Sequence, residues 1–303
     1  MTSQGGSNKR KPNSKVPDAL TLLKTETKHA MALTKQSWFI YHLNLNQKWV
    51  TLMMKAVDAA WKLKDRNLNK DIFHVFTLLG HRWISHHQAI RHLTLMGRYG
   101  EAYAICRMLL EVTDLFPYFV AYPGDVQRWR EAFSKDPSNL DQGVRHEINY
   151  FSAANVRKRL EEAGIDSIPS ELHSHLNAAV HASEWGTMYY GHSSLENPGV
   201  TQLQFDVTLD RSMAFGIGQL ANLTLSRPIW SFIEYCKVNK AGKSWWRAIE
   251  LNYKDMLPDW DMLVRDVDAK YANLMGEVAR MRASGASVDE IEAFMNSTLE
   301  AEA

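Results

Sequence analysis

Cysteine is almost absent from this chain: 2 residues in 303, Cys106 and Cys236, far apart in sequence. No disulfide framework can be built from such a pair, so packing has to stabilise the fold, and a reducing, cytoplasmic setting is expected. Both lie in apolar, helix-compatible runs, where a thiol acts as a small buried hydrophobe. Long apolar runs are missing as well. No stretch of 18 or more apolar residues occurs, so no helix can cross a membrane and no membrane partner is expected. No apolar segment follows the basic residues near the N-terminus, so no signal peptide is expected. Net charge is small, +1. Bulk attraction to polyanions is therefore excluded, and a nucleic-acid contact would need a local patch. Finally, the chain has no Walker loop, no Gly-x-Ser-x-Gly elbow, no His-Glu-x-x-His and no repeated Glu-x-x-His. The chemistry to expect is one that needs neither cofactor nor metal.

What is present is helix. Apolar residues make up 45% and charged residues 23%, the mix of a globular protein. Residues 1–17 hold almost nothing apolar and read as a disordered tail, with Lys9-Arg10-Lys11 as a small basic cluster in it. From Asp18 to Leu79 there is neither Gly nor Pro. Leu45, Trp49, Leu52, Met53, Ala56, Ala60 and Leu63 recur at helical spacing, which predicts two helices, the second ending near Leu63. A third helix is expected from about Lys70 to Met96, stopped by the turn signal Gly97-Arg98-Tyr99-Gly100, and a fourth up to Pro123-Gly124. Residues 124–143 read as a loop anchored by Trp129 and Phe133. One helix is expected from about Leu140 to Ala163, with Gly164 as its C-cap. Another starts near Pro169 and carries His173 to His181. Gly186 to Gly199 is irregular, and Val200 to Leu209 alternates enough for a short extended piece. Helices resume at Ser212–Leu225, Ile229–Asn239 and Leu257–Arg282, and Ser287-Val288-Asp289-Glu290 is a capping box for a last one. The expectation is an all-α chain: a bundle domain over 18–239 and a C-terminal helical extension over 240–303.

Two helical segments carry chemistry-bearing side chains where leucine would be simpler. Arg107 and Glu111 stand four apart in an apolar run, and so do Asn177 and His181; residues at that spacing share a helix face. A buried charge is costly unless paired. One reading makes Arg107–Glu111 an ion pair that fixes helix packing, and makes Asn177 the partner that holds a core imidazole. The other makes Arg107 a phosphate clamp, its planar fork matched to phosphate oxygens, and His181 a general acid/base of near-neutral pKa. Arg plus His suffices for metal-independent RNA cleavage: the imidazole moves a proton at the 2′-hydroxyl or the leaving oxygen, and the guanidinium stabilises charge on phosphorus.

The third helix is rich in imidazoles: His74, His81, His86, His87 and His92, with Arg82 and Arg91 among them. His74, His81 and His92 fall roughly on one face. A polar seam of the bundle, an RNA-facing edge or a ligand pocket accounts for the cluster without a metal. Lys243-Ser244-Trp245-Trp246-Arg247 mixes basic and aromatic residues as single-strand binders do, but reads better as a helix start with its tryptophans packed inward. Gly216-Ile217-Gly218 reads as close helix packing.

On Arg107 with Glu111 and on His173, Asn177, His181 and Ser183, residues 70 to 225 resemble the HEPN (higher eukaryotes and prokaryotes nucleotide-binding) superfamily and abortive-infection proteins of bacteria and phages. The family's second motif has an aromatic and a Ser where this chain has His173 and Asn177, and no Arg precedes His181 at the usual spacing. The resemblance implies an HEPN-like bundle, a metal-independent endoribonuclease or toxin-like effector in phage defence, RNA as substrate, and a homo-oligomer, most simply a dimer. Arg107 and His181 would then be the catalytic pair, with Glu111 and Asn177 holding them. The competing expectation is a non-catalytic helical module for a protein partner, with the same four residues as a buried structural network.

Overall fold

The computed structural model describes residues 19–63, 70–134, 142–169 and 211–287, with short pieces at 172–173, 176, 192–193, 201–202, 290–291, 293–294 and 297. The described chain is all-α. Its helices are α1 (Ala19–Leu33), α2 (Ser37–Leu63), α3 (Lys70–Leu95), α4 (Tyr99–Ala121), α5 (Asp125–Phe133), α6 (Gln142–Tyr150), α7 (Ala153–Glu162), α8 (Arg211–Leu223), α9 (Ser226–Val238) and α10 (Lys243–Ala283). Extended structure among the described residues is one antiparallel pair of two-residue strands, β1 (His192–Ser193) and β2 (Thr201–Gln202). The expected N-terminal tail, most of Gly186–Gly199 and the rest of Val200–Leu209 lie outside the described residues.

Helix α3 packs between α2 and α4, and α9 lies across α4 and α2. The turn between α3 and α4 ends on Gly97 at φ +73°, a left-handed conformation that glycine adopts without a Cβ penalty. There the Arg98 N–H bonds the Leu93 carbonyl at 2.8 Å and the Gly97 N–H bonds Thr94 at 3.1 Å, the double closure that stops a helix cleanly. At the centre, the Phe76 ring stands 5.1 Å from both Phe116 and Phe232, joining α3, α4 and α9. Trp49, Met53, Phe73, Trp83, Leu109 and Leu110 are sealed around it. Helices α2 and α3 meet closely at Gly80: a Cβ there would lie 2.3 Å from Val57 Cγ2.

Three expectations change. The stretch read as one helix over 140–163 is two, α6 and α7, with a break at Phe151 and Ser152. The break turns the Phe151 ring into the core, against Tyr118, Phe119 and Tyr150. The stretch read as a loop holds α5, on which Trp129 is half-buried against Phe119 and Phe133 is exposed. Helix α10 starts at Lys243 rather than near Leu257 and continues through Pro258. Its first turns belong to the core: Trp246 is buried with its indole N–H on the Ala241 carbonyl at 3.1 Å, and Ile249 is buried beside it. Ser287 and Glu290 make the expected capping box, the Ser287 N–H on the Glu290 carboxylate at 2.8 Å and the Glu290 N–H on Ser287 Oγ at 3.3 Å.

Candidate functional site

Helix α4 is apolar on most of its surface and carries one charged row. Arg107, Glu111 and Asp114 sit at i, i+4 and i+7, the spacing of a single helix face. Arg107 and Glu111 form the expected ion pair at 3.3 Å, and both remain accessible, 28% and 38% exposed. The Arg107 Nε–H is buried and has no hydrogen-bond partner. The guanidinium is thus held at one end by Glu111 while its other donors are unspent.

Asp114, one turn further, is the centre of a second cluster. It is 3% exposed and accepts Arg227 from the first turn of α9 at 3.2 Å. The same Arg227 nitrogen donates to the Asp166 carbonyl at 2.8 Å, and the Ile168 N–H faces Asp114 Oδ1 at 3.4 Å. His173 Nε2 lies 3.8 Å from Asp114 Oδ2, too far for a hydrogen bond, and neither atom has a hydrogen-bond partner. So the charged face of α4 gathers Arg107, Glu111, Asp114, His173 and Arg227 from three parts of the chain. Asn177 and His181 lie outside the described residues.

The imidazoles of α3 do not act together. His81 and His92 are exposed and His74 is half-buried. Arg82 donates from Nε to His86 at 3.3 Å on the surface, and desolvation, with the neighbouring Arg82 charge added to it, lowers the His86 pKa to about 4. His87 alone enters the interior, in a seam the sequence only hinted at. The Asn46 amide donates to His87 Nδ1 at 3.0 Å and to Asn222 Oδ1 at 3.4 Å. Asn222 in turn donates to His42 Nδ1 at 2.7 Å. Because amide nitrogens only donate, both Nδ1 atoms accept, and each imidazole is a neutral Nε2–H tautomer. His87 Nε2–H then donates to Thr224 Oγ1 at 3.0 Å, whose own hydrogen goes to the Ala221 carbonyl at 2.7 Å. Burial holds His42 down to about pH 4 and His87 to about 3. A small pocket of about 40 Å³, room for a few waters, opens onto this seam between Phe39, Ile90 and Ile217. Gly218 on α8 faces this seam, its Cβ position at ordinary contact distance, 3.9 Å, from His42 Nδ1.

Both cysteines are buried and free, and burial pushes each thiol well above its ordinary pKa. Neither has the lowered thiol pKa that an activated nucleophile needs. Among the described residues no three His, Cys, Asp or Glu side chains gather as a metal site requires. No helix in the described residues is long and apolar enough to cross a membrane.

Sequence reasoning missed Asp114 and Arg227. Asp114 extends the Arg107/Glu111 row by one turn, so its spacing was readable. Arg227 had no such signal, because it reaches Asp114 across 113 residues of chain. Asn46, Asn222 and Thr224 were missed for the same reason. No family model matches this chain, and no curated protein or solved structure does either.

Proposed function

We propose that this chain is a metal-independent endoribonuclease of HEPN-like type, with the charged face of α4 as the phosphate-receiving side of its site. The observation that supports the reading is the Arg107–Glu111 pair: an accessible guanidinium, oriented from one end by a carboxylate, on a helix that otherwise buries its surroundings. In this mechanism Arg107 stabilises the charge that develops on the phosphorane, and His181 moves the proton at the 2′-hydroxyl or the leaving oxygen. Glu111 orients Arg107, and Asn177 orients His181. The buried His173, beside Asp114 on the same face, begins the segment that carries both. A toxin-like role in bacterial or phage conflict and a dimeric state belong to the same proposal and rest on the family resemblance.

The test is cleavage of a structured RNA by the purified full chain in EDTA. Wild type is expected to cleave, and His181→Ala and Arg107→Gln to lose at least a hundredfold in rate with unchanged folding. Full activity in His181→Ala would sink the proposal.

One observation favours a second reading. Asp114 and His173 are nearly sealed, at 3% and 4% exposure, as in a network that fixes helix register rather than one that turns over substrate. Under that reading the chain is a helical module for a protein partner. Asp114→Ala, which leaves Arg227 and the Ile168 N–H without their acceptor, then costs about 1–3 kcal/mol in a urea melt, and no RNA is cleaved.

A further inference from the structure

We infer that Arg227 is a second phosphate-binding residue, so that the site takes a single RNA strand across two successive phosphates rather than one isolated phosphate. This rests on the ribonuclease reading and adds a residue that the motif resemblance does not contain. Arg227 and Arg107 are each held by a carboxylate of the same face of α4, Asp114 and Glu111 respectively. Those carboxylates are three residues apart, about 4.5 Å along the helix axis at 1.5 Å per residue. Through these carboxylates both guanidiniums are tied to one face of α4, Arg107 from the helix itself and Arg227 from the start of α9.

Arg227 also keeps donors to give. Its two bonds, to Asp114 and to the Asp166 carbonyl, both leave from one terminal nitrogen. A guanidinium has five N–H donors, so the Nε–H and the other terminal nitrogen are not used by these bonds. The side chain is 23% exposed while Asp114 beneath it is 3% exposed. The carboxylate thus fixes one end of the fork while part of the side chain stays accessible, and a planar fork with unused donors suits a phosphate. Arg107 is built alike: 28% exposed, its Glu111 partner on one terminal nitrogen. The arginines of α3 have no carboxylate to hold them in this way: Arg91 donates to Gln47 and Arg82 to His86.

The experiment measures binding, not cleavage. A fluorescent 2′-O-methyl oligouridine 12-mer, whose blocked 2′-oxygen prevents cleavage, is titrated with the full chain by anisotropy between 50 and 200 mM salt. Losing one phosphate contact on a single strand lowers the slope of log affinity against log salt by about 0.7. Arg227→Gln is expected to show that loss, with affinity at the lowest salt down roughly three- to tenfold and uridine 3′-monophosphate bound as by wild type. Arg107→Gln is expected to weaken both ligands. If Arg227→Gln does not fold, because Asp114 is left buried and unpaired, the double variant Asp114→Asn with Arg227→Gln removes both charges and reads the same slope. An unchanged slope in the folded variant, while Arg107→Gln lowers it, overturns the role of Arg227 and leaves the ribonuclease reading standing. Failure of wild type to bind the oligomer, or undiminished cleavage by His181→Ala, overturns both.

Discussion

The polar side chains of the His87 seam are matched atom by atom. His87 is contacted at both ring nitrogens, by Asn46 and by Thr224, and its ring lies 4.0 Å from that of Trp83. Replacing Asn46 by Leu leaves a buried imidazole lone pair without its donor, which costs about 1–3 kcal/mol; a urea midpoint that does not move would contradict this account of the seam. Gly80 is chosen for the opposite reason, absence of a side chain. A Cβ there lies 2.3 Å from Val57 Cγ2 and 3.0 Å from Met53 Cε, so Gly80→Ala has to push α2 and α3 apart. The helix propensity of alanine would return up to about 1 kcal/mol, yet the overpacking costs about 1–3 kcal/mol, and a net fall in melting temperature is the expected result. The pair Arg107 and Glu111 was legible at this scale because its spacing is local. Its partners were not, since Arg227 is brought to Asp114 by the packing of α9 on α4.

At the scale of elements, the long helices were readable wherever the chain punctuates itself. The Gly97 turn and the Gly164 cap, at φ +73° and +69°, are where the sequence placed them. Boundaries were misread where tertiary contacts outweigh local signals. The start of α10 was misread: the helix begins at Lys243 and runs through Pro258. Helix α4 runs through Pro117 to Ala121, ending as expected before Pro123-Gly124, and each proline removes one helix hydrogen bond. At Pro117 the helix continues because Phe116, Tyr118 and Phe119 around it are all sealed in the core. The break between α6 and α7 has the same origin, for it serves the docking of α7. Arg159 on α7 stacks over Tyr122 at 4.2 Å and Tyr150 at 4.8 Å and reaches Asp125 at 2.8 Å. Tyr118 and Tyr150 both donate to that same carboxylate, at 2.5 and 3.1 Å. One guanidinium thus joins α4, α5, α6 and α7. Arg159→Ala is expected to loosen α7 by about 1–3 kcal/mol, since Asp125 keeps only the more distant Arg128, at 3.9 Å, and Tyr118 and Tyr122 lose their cation. Hydrogen exchange localised to α6 and α7 is the measurement, and protection equal to wild type there would refute the linkage.

For the molecule as a whole, the buried imidazoles predict a pH dependence. In the unfolded chain His42 and His87 bind a proton near pH 6.5, in the folded protein only near 4 and 3. Between those values the unfolded state holds more protons, so stability is fully present above about pH 6.5, falls as pH drops toward 3, and levels off below. The loss is on the order of several kcal/mol for the two together. Urea midpoints from pH 7.5 to 4 should decline accordingly, and His87→Gln, which removes one of the two groups, should flatten the curve. The sequence by itself determined the helical class, the order of the long helices, the inertness of both cysteines and the Arg107–Glu111 pair. Each of these depends on residues within a few turns of one another, where periodicity and chain stops act directly. Only the tertiary structure decided which of the α3 imidazoles is interior, that Asn46 and Asn222 set the tautomers of His87 and His42, and that Asp114 and Arg227 join the charged face of α4. Those choices depend on which helix faces meet, and a polar residue buried by a distant helix carries no local mark of it.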